Sequence, residues 1–218
     1  MRKRTYISES HRKYSEACQR EVEEMSKHPL SLEQMEEQMR RNRNKSLSRS
    51  KFIFLDLDST LNTSSYQAYC RKNGLPLRDA YGPVFDPFAI LNLASILKAE
   101  PLARLVFLSN WNYEGFGRMK GLWLRRFLPG FVIGIAGVDI DFGKDEIEAL
   151  GQEELPLARA IEVRAWLRDN DVTDRPYIIL DGEADYGEDL NPHVVHVNPE
   201  VGLTDMQAKK AIRLLKVS

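Results

Sequence analysis

The chain holds 218 residues, 43% of them hydrophobic and 29% charged, with a net charge of −1. That size suits one globular domain plus an appendage, and the near-zero charge gives the whole molecule no electrostatic case for nucleic acid. Two distant cysteines, Cys18 and Cys70, exclude a zinc-finger spacing or a disulfide framework, and no apolar run approaches the 18 residues of a membrane span. A soluble, cytoplasmic protein without a membrane partner is therefore expected.

Residues 1–50 differ from the rest. They hold 12 Lys and Arg against eight Glu, few aromatic or β-branched residues, and Pro29 between two polar segments. The pattern predicts two helices, with Ser8 and Ser31 as N-caps, followed by a basic linker, "RRNRNKSLSRSK". This charged helical arm is expected to contact protein or nucleic acid, or to be merely solvated. The globular domain is placed at 51–218.

From Lys51 onward, short apolar runs alternate with amphipathic ones. Strands are predicted at 52–57, 104–109, 131–137, 177–181 and 193–197. Helices are predicted at 86–100, 117–128, 158–170 and 204–216. Near-continuously apolar strands separated by helices imply an α/β fold, a Rossmann-like three-layer α/β/α sandwich on a mainly parallel sheet. In such sheets ligands bind beyond the carboxyl ends of the strands.

Polar residues collect at three of those ends. "FIFLDLDST" places Asp56 and Asp58 after the first strand, "RLVFLS" places Ser109 after the second, and "YIILDGEAD" places Asp181 and Asp185 after the fourth. Carboxylates brought into one crevice repel, and some are driven neutral unless a cation sits among them. Oxygen ligands with open positions suit Mg²⁺. Single aspartates in these positions often do no more than cap helices, but a set at three separate strand ends points to a site.

These runs resemble the motifs of the haloacid dehalogenase (HAD) superfamily of phosphotransferases. The Asp-x-Asp-x-Thr run matches motif I, "LVFLSN" motif II and "YIILDGEAD" motif IV. The Asn of "STLN", the Trp of "SNWN", an Arg-x-x-Glu helix and the tail "VNPEVGLTDMQAKKAIRLL" are similar to the HAD domains of the Swiss Army knife RNA repair proteins. The resemblance implies that Asp56 is the nucleophile and Asp58 the general acid and base. It also implies that Ser109 binds a phosphoryl oxygen beside Asn110, and that Thr60 braces the motif I loop. Mg²⁺ would be held by Asp56, the Asp58 carbonyl and Asp181, with Asp185 directly or through water. Dehalogenases of the superfamily lack the second acid, so Asp58 points to phosphate esters.

Motif III requires a cation. Arg159 lies 22 residues before Asp181 and Lys144 lies 37 before it, and the spacing favours Arg159. Arg164, five residues further along the same helix, is expected to point elsewhere. Two positions depart from the relatives: Ser59 stands where many have Gly, and Gly182 where many have a second Asp, which implies weaker metal binding. His193 and His196 read as packing or surface residues. Arg118, Lys120, Arg125 and Arg126 make the helix after motif II basic, either as a solvated face or as a guide for a phosphate backbone. The spaces 61–103 and 110–158 leave room only for a minimal cap, so an open site is expected, suited to phosphates on large substrates such as polynucleotide ends. The alternatives are a small-molecule or nucleotide phosphatase of the same mechanism, or a non-catalytic HAD scaffold that docks a partner through residues 1–50.

Overall fold

The computed structural model describes Ser31, Glu37 and residues 47–109, 111, 115–137, 158–182 and 185–217. Apart from Ser31 and the helical Glu37, the predicted N-terminal helices with the cap Ser8, and also Cys18, Asn110 and Lys144, lie outside the described residues. The chain divides into two compact units, Met1–Lys45 and Ser46–Ser218. No helix among the described residues is long and apolar enough to cross a membrane.

Among the described residues five strands form one parallel sheet: β1 (Lys51–Leu55), β4 (Ala103–Phe107), β5 (Val132–Ile135), β6 (Tyr177–Asp181) and β7 (Val194–His196). A two-stranded antiparallel hairpin, β2 (Arg78–Asp79) and β3 (Gly82–Pro83), stands apart from it. Among the described residues six α-helices accompany the strands: α1 (Ser64–Lys72), α2 (Pro87–Ala99), α3 (Phe116–Arg125), α4 (Ala158–Asp169), α5 (Gly187–Leu190) and α6 (Asp205–Val217). All five strands and four helices expected from periodicity are present, with ends within a few residues. The chain is a Rossmann-like α/β domain.

The sheet order is β5-β4-β1-β6-β7. Successive strands run outward from β1 on one side, then return to build the other side. The order therefore reverses at β1, and a crevice opens there at the carboxyl edge.

Alternation along β1 splits the core in two. Ile53 and Leu55 pack with Leu93 of α2, Trp123 of α3 and Leu215 of α6. Phe52 and Phe54 point to the opposite face, where Trp166 of α4 meets both rings edge-on at 5.3 and 5.4 Å. Strands buried on both faces carry unbroken apolar sequence, which is why β1 reads as a continuous run. Leu47, placed in the linker by its polar neighbours, is buried in this second layer, so the body begins before it.

Two elements escaped sequence reading. Helix α1 is polar and carries only Cys70 as a buried side chain, so it has no apolar stripe to detect. It is defined by its cap: the Thr63 hydroxyl accepts from the Tyr66 N–H and donates to Asp86, whose other oxygen caps α2 through Phe88. The hairpin strands are two residues each, below any periodic signal.

The tail before α6 locks onto the motif I loop. Leu203 N–H donates to the Thr60 carbonyl at 3.0 Å, and Ser65 N–H to the Glu200 carbonyl at 3.0 Å. Gly202 sits between them at φ +69°, where a Cβ would collide with the Thr63 methyl and lie 2.7 Å from the Thr60 carbonyl oxygen. Only glycine satisfies both the conformation and the approach. Gly202→Ala is expected to lower stability by about 2–4 kcal/mol, from backbone strain plus overpacking, measured by urea denaturation.

Candidate active site

Asp56 follows β1 and Asp181 ends the neighbouring β6, with the Asp56 N–H donating to the Leu180 carbonyl at 3.0 Å. The pairing of β1 with β6 thus brings the two carboxylates side by side. Burial, then the charge of Asp181, pushes the Asp56 carboxyl up to about 8; Asp58 adds to this, and Arg159 opposes it. Asp181 is 4% exposed and accepts the Tyr186 hydroxyl at 2.7 Å. Tyr186 is fully buried, and burial together with Asp181 raises its pKa far above the usual phenol value, so it remains a donor. Sequence reasoning missed Tyr186: a tyrosine five residues past a strand end carries no periodic signal.

Arg159 lies in the first turn of α4, where it pairs with Glu162 at 2.9 Å. Burial works against its charge, but Glu162 and then Asp56 outweigh that and raise its pKa. Glu162 is itself raised by burial, with Arg159 pulling the other way. A guanidinium that couples electrostatically to Asp56 is placed to neutralise charge there. Arg164, as expected, turns away and forms a two-pronged ion pair with Asp189.

Asp58 is held differently. Its Oδ1 accepts from the Asn62 side-chain amide at 2.9 Å, and its Oδ2 from the Trp111 indole at 2.8 Å. Gln67 donates to the Asn62 side-chain oxygen at 2.6 Å, and Arg71 to Gln67 at 3.2 Å. This chain fixes the orientation of the Asn62 amide, so that its NH₂ faces Asp58. The Asn and Trp singled out by the sequence resemblance therefore converge on a single carboxylate. Helix α1, which supplies Gln67 and Arg71, thereby contributes to the site.

Ser109 is 1% exposed beyond β4, and its Oγ is 3.5 Å from the Trp111 N–H, a long contact. Thr60 is fully buried; its N–H donates to the Asp58 carbonyl at 2.6 Å, and its hydroxyl has no hydrogen-bond partner among the described residues. Ser59 adopts φ +61°, the left-handed region that explains why glycine suits this position in relatives. Asp185 is exposed, and its carboxylate accepts the Gly187 N–H at 2.9 Å at the start of α5.

The ligands expected for a metal are the carboxylates of Asp56 and Asp181 and the Asp58 carbonyl, with Asp185 directly or through water. Among the described residues no group of three or more His, Cys, Asp or Glu is arranged to hold an ion. Asp185 accepts the Gly187 N–H, and the Asp58 carboxylate faces Asn62 and Trp111, which leaves its backbone carbonyl as the group expected at the metal. Mg²⁺ needs less than such a cluster, because one or two carboxylates with waters and a substrate phosphate suffice. The Asp56–Asp181 pair fits that requirement, because an added cation would offset the burial and repulsion that raise the Asp56 pKa.

The departure at Gly182 also has a structural cause. A Cβ there would lie 2.6 Å from the carbonyl oxygen of Val197, just after the adjacent strand β7. The Asp181–Val197 backbone pairing, at 2.9 Å, leaves no room for a side chain. His193 proves to be a packing residue, stacked on Tyr177 with 4.2 Å between ring centroids, and His196 is exposed.

The hairpin roofs one side of the site. Arg126 grips Asp79 with two hydrogen bonds of 2.6 and 3.0 Å, donates to the Gly82 carbonyl, and lies 4.8 Å over the Phe85 ring. Arg126 is thus a structural clamp, and the expectation that it forms part of a solvated or phosphate-guiding face is corrected. Gly82 rests against the Trp111 ring, where a Cβ would be 3.5 Å away.

Residues 52–208 match the family model described as the HAD domain in Swiss Army Knife RNA repair proteins. The chain belongs to this family. Its HAD domain is of the phosphohydrolase type, with a phosphorylated substrate. No curated protein and no solved structure is significantly similar to the chain.

Gly182→Asp, which restores the acid of many HAD relatives, is expected to cost at least about 2 kcal/mol through overpacking and to weaken Mg²⁺ binding. Denaturation midpoints with and without Mg²⁺ check both.

Proposed function

We propose that the chain is a Mg²⁺-dependent phosphomonoester hydrolase that works through an aspartyl-phosphate on Asp56 and acts on phosphorylated nucleic-acid ends. The observation that carries this reading is Asp56 itself: a carboxyl pushed up to about 8 by burial and by Asp181, with Arg159 the opposing cation. Perturbed groups of this kind, converging in a crevice, mark catalytic sites. The family's RNA-repair description supports the substrate class.

Asp56 and Asp181, with the Asp58 carbonyl, would hold Mg²⁺, which when bound supplies positive charge to the nucleophile and the phosphoryl oxygens. A carboxylate oxygen of Asp56 attacks phosphorus, and the bond from phosphorus to the ester oxygen breaks. Asp58 gives its proton to the departing oxygen, which leaves as an alcohol. It then takes a proton from the water that attacks the aspartyl-phosphate, releasing inorganic phosphate and restoring Asp56. Arg159 neutralises charge on the phosphoryl group, with Glu162 holding the guanidinium in place. Tyr186, by donating to Asp181, fixes how that carboxylate faces Asp56. Ser109 supplies a hydroxyl beside the phosphoryl oxygens, and Lys144, the other candidate cation, would contribute less.

Asp56→Asn is expected to abolish p-nitrophenyl phosphate turnover with an unchanged melting temperature; retained activity in folded protein refutes the mechanism. Arg159→Ala should lower turnover by about 10²-fold, the scale for losing one preorganised donor, and Lys144→Ala by far less. Mg²⁺ should raise the melting temperature of the wild-type protein but not of Asp181→Ala, a readout independent of activity.

A further inference from the structure

The mechanism proposed above places the leaving oxygen at Asp58, so the leaving group must occupy the space that Asp58 lines. That space is defined. A cavity of about 390 Å³ is lined by Asp58 and Trp111, by the hairpin residues Arg78 and Tyr81, and by Arg118 of α3. A second cavity of about 340 Å³ shares Ala80, Tyr81, Arg118 and Leu122 with the first and continues along α3 to Arg125. Shared walls make the two one groove, running from Asp58 outward along the helix.

The groove has the chemistry of an anion track. Among the described residues its acidic wall residue beyond Asp58 is Asp79, and that carboxylate is bound by both prongs of Arg126, whose hydrogen bonds hold its pKa below the usual carboxylate range. Arg78, Arg118 and Arg125 are exposed along its length. Arg78 makes no ion pair among the described residues, and Arg125 lies 5.8 Å over the Tyr81 ring. The helix wall is stripped down at Gly117 and Gly121, where an added Cβ would meet nothing within 4 Å. These residues lie four apart on one helix face, so they open a lane between the arginines. A lone phosphomonoester needs none of this, because its single phosphate is bound at Asp56, Ser109 and Arg159.

We infer that the groove between hairpin β2–β3 and helix α3 is the leaving-group site, and that it takes a phosphodiester-linked strand whose second and third phosphates lie on Arg78, Arg118 and Arg125. The inference rests on the proposed hydrolase reading and adds a substrate subsite to it. The strand's terminal ester oxygen meets Asp58, and its backbone runs away from the metal-binding carboxylates. Arginine suits the role, since its fork matches phosphate geometry. The Arg126–Asp79 clamp keeps the hairpin wall in position, so the groove is preformed.

The test compares kcat/KM of the full chain with Mg²⁺ on six esters: p-nitrophenyl phosphate, a nucleoside monophosphate, a nucleoside 3′,5′-bisphosphate, two terminally phosphorylated tetranucleotides of opposite polarity, and a phosphoserine peptide with acidic flanks. One tetranucleotide polarity should exceed the nucleoside monophosphate by about 10-fold for each added phosphate contact. Arg78→Glu and Arg125→Ala should each remove about 10-fold of that gain, with a shallower salt dependence, and should act far less on p-nitrophenyl phosphate. A bisphosphate turned over as well as the tetranucleotide would make the occupant a small molecule and overturn the strand. So would a preference for the peptide, or equal losses on every ester in the arginine variants. No turnover of any ester overturns the hydrolase reading, and the groove assignment with it. Turnover of p-nitrophenyl phosphate without a tetranucleotide preference overturns the groove assignment alone.

Discussion

Asp56 and Asp181 end adjacent parallel strands at the point where the sheet order reverses, and both are largely withdrawn from water. Two like charges in that position repel, and burial removes the solvent that would screen them. Much of the surrounding structure answers this conflict. Arg159 reaches the pair from the first turn of α4 with Glu162 fixing its guanidinium, and Tyr186 donates its hydroxyl to Asp181 from beyond β6. The remaining deficit in positive charge is what a divalent cation would fill. A hydrolase built on this pair needs its nucleophile ionised only when metal and substrate are both present, and the raised Asp56 pKa fits that requirement.

Asp58 belongs to a different environment two residues away. The motif I loop turns it off the strand axis, and Asn62 and Trp111 each give it a donor. The two aspartates therefore differ in partner rather than in kind: one faces carboxylates and a guanidinium, the other faces neutral N–H groups. That division matches a nucleophile beside a proton carrier. Trp111 also joins Asp58 to the hairpin, since Gly82 rests on its ring while Arg126 holds the hairpin from α3. The groove that leaves Asp58 is thus anchored to the residue that would serve it.

Helices α1 and α6 show how remote segments stabilise the loop that carries the chemistry. The tail reaches the Thr60 carbonyl through Leu203, and Gly202 permits an approach that no side chain would allow. Thr63 and Asp86 share one hydrogen bond between the caps of α1 and α2. Strain at Ser59, in the left-handed region, is held in place by these contacts on both sides of the loop.

The sequence by itself determined the alternation of strands and helices and the residues at the strand ends. Both are local: burial on two faces makes β1 and β6 read as unbroken apolar runs, and carboxylates directly after such runs stand out against them. It also singled out Asn62, Trp111 and the Arg159–Glu162 spacing, although only by resemblance and without their partners. Tertiary structure decided the rest. Strand order placed Asp181 beside Asp56 across more than a hundred residues of chain. The hairpin is too short, and α1 too polar, to leave a periodic trace. Whether Arg126 faced solvent or Asp79, and whether a side chain could follow Asp181, depended on contacts between segments far apart in sequence. Periodicity reports which face of an element is buried, because that is set by neighbours three or four residues away. It does not report what that face is buried against, because the partner is chosen by how the layers close.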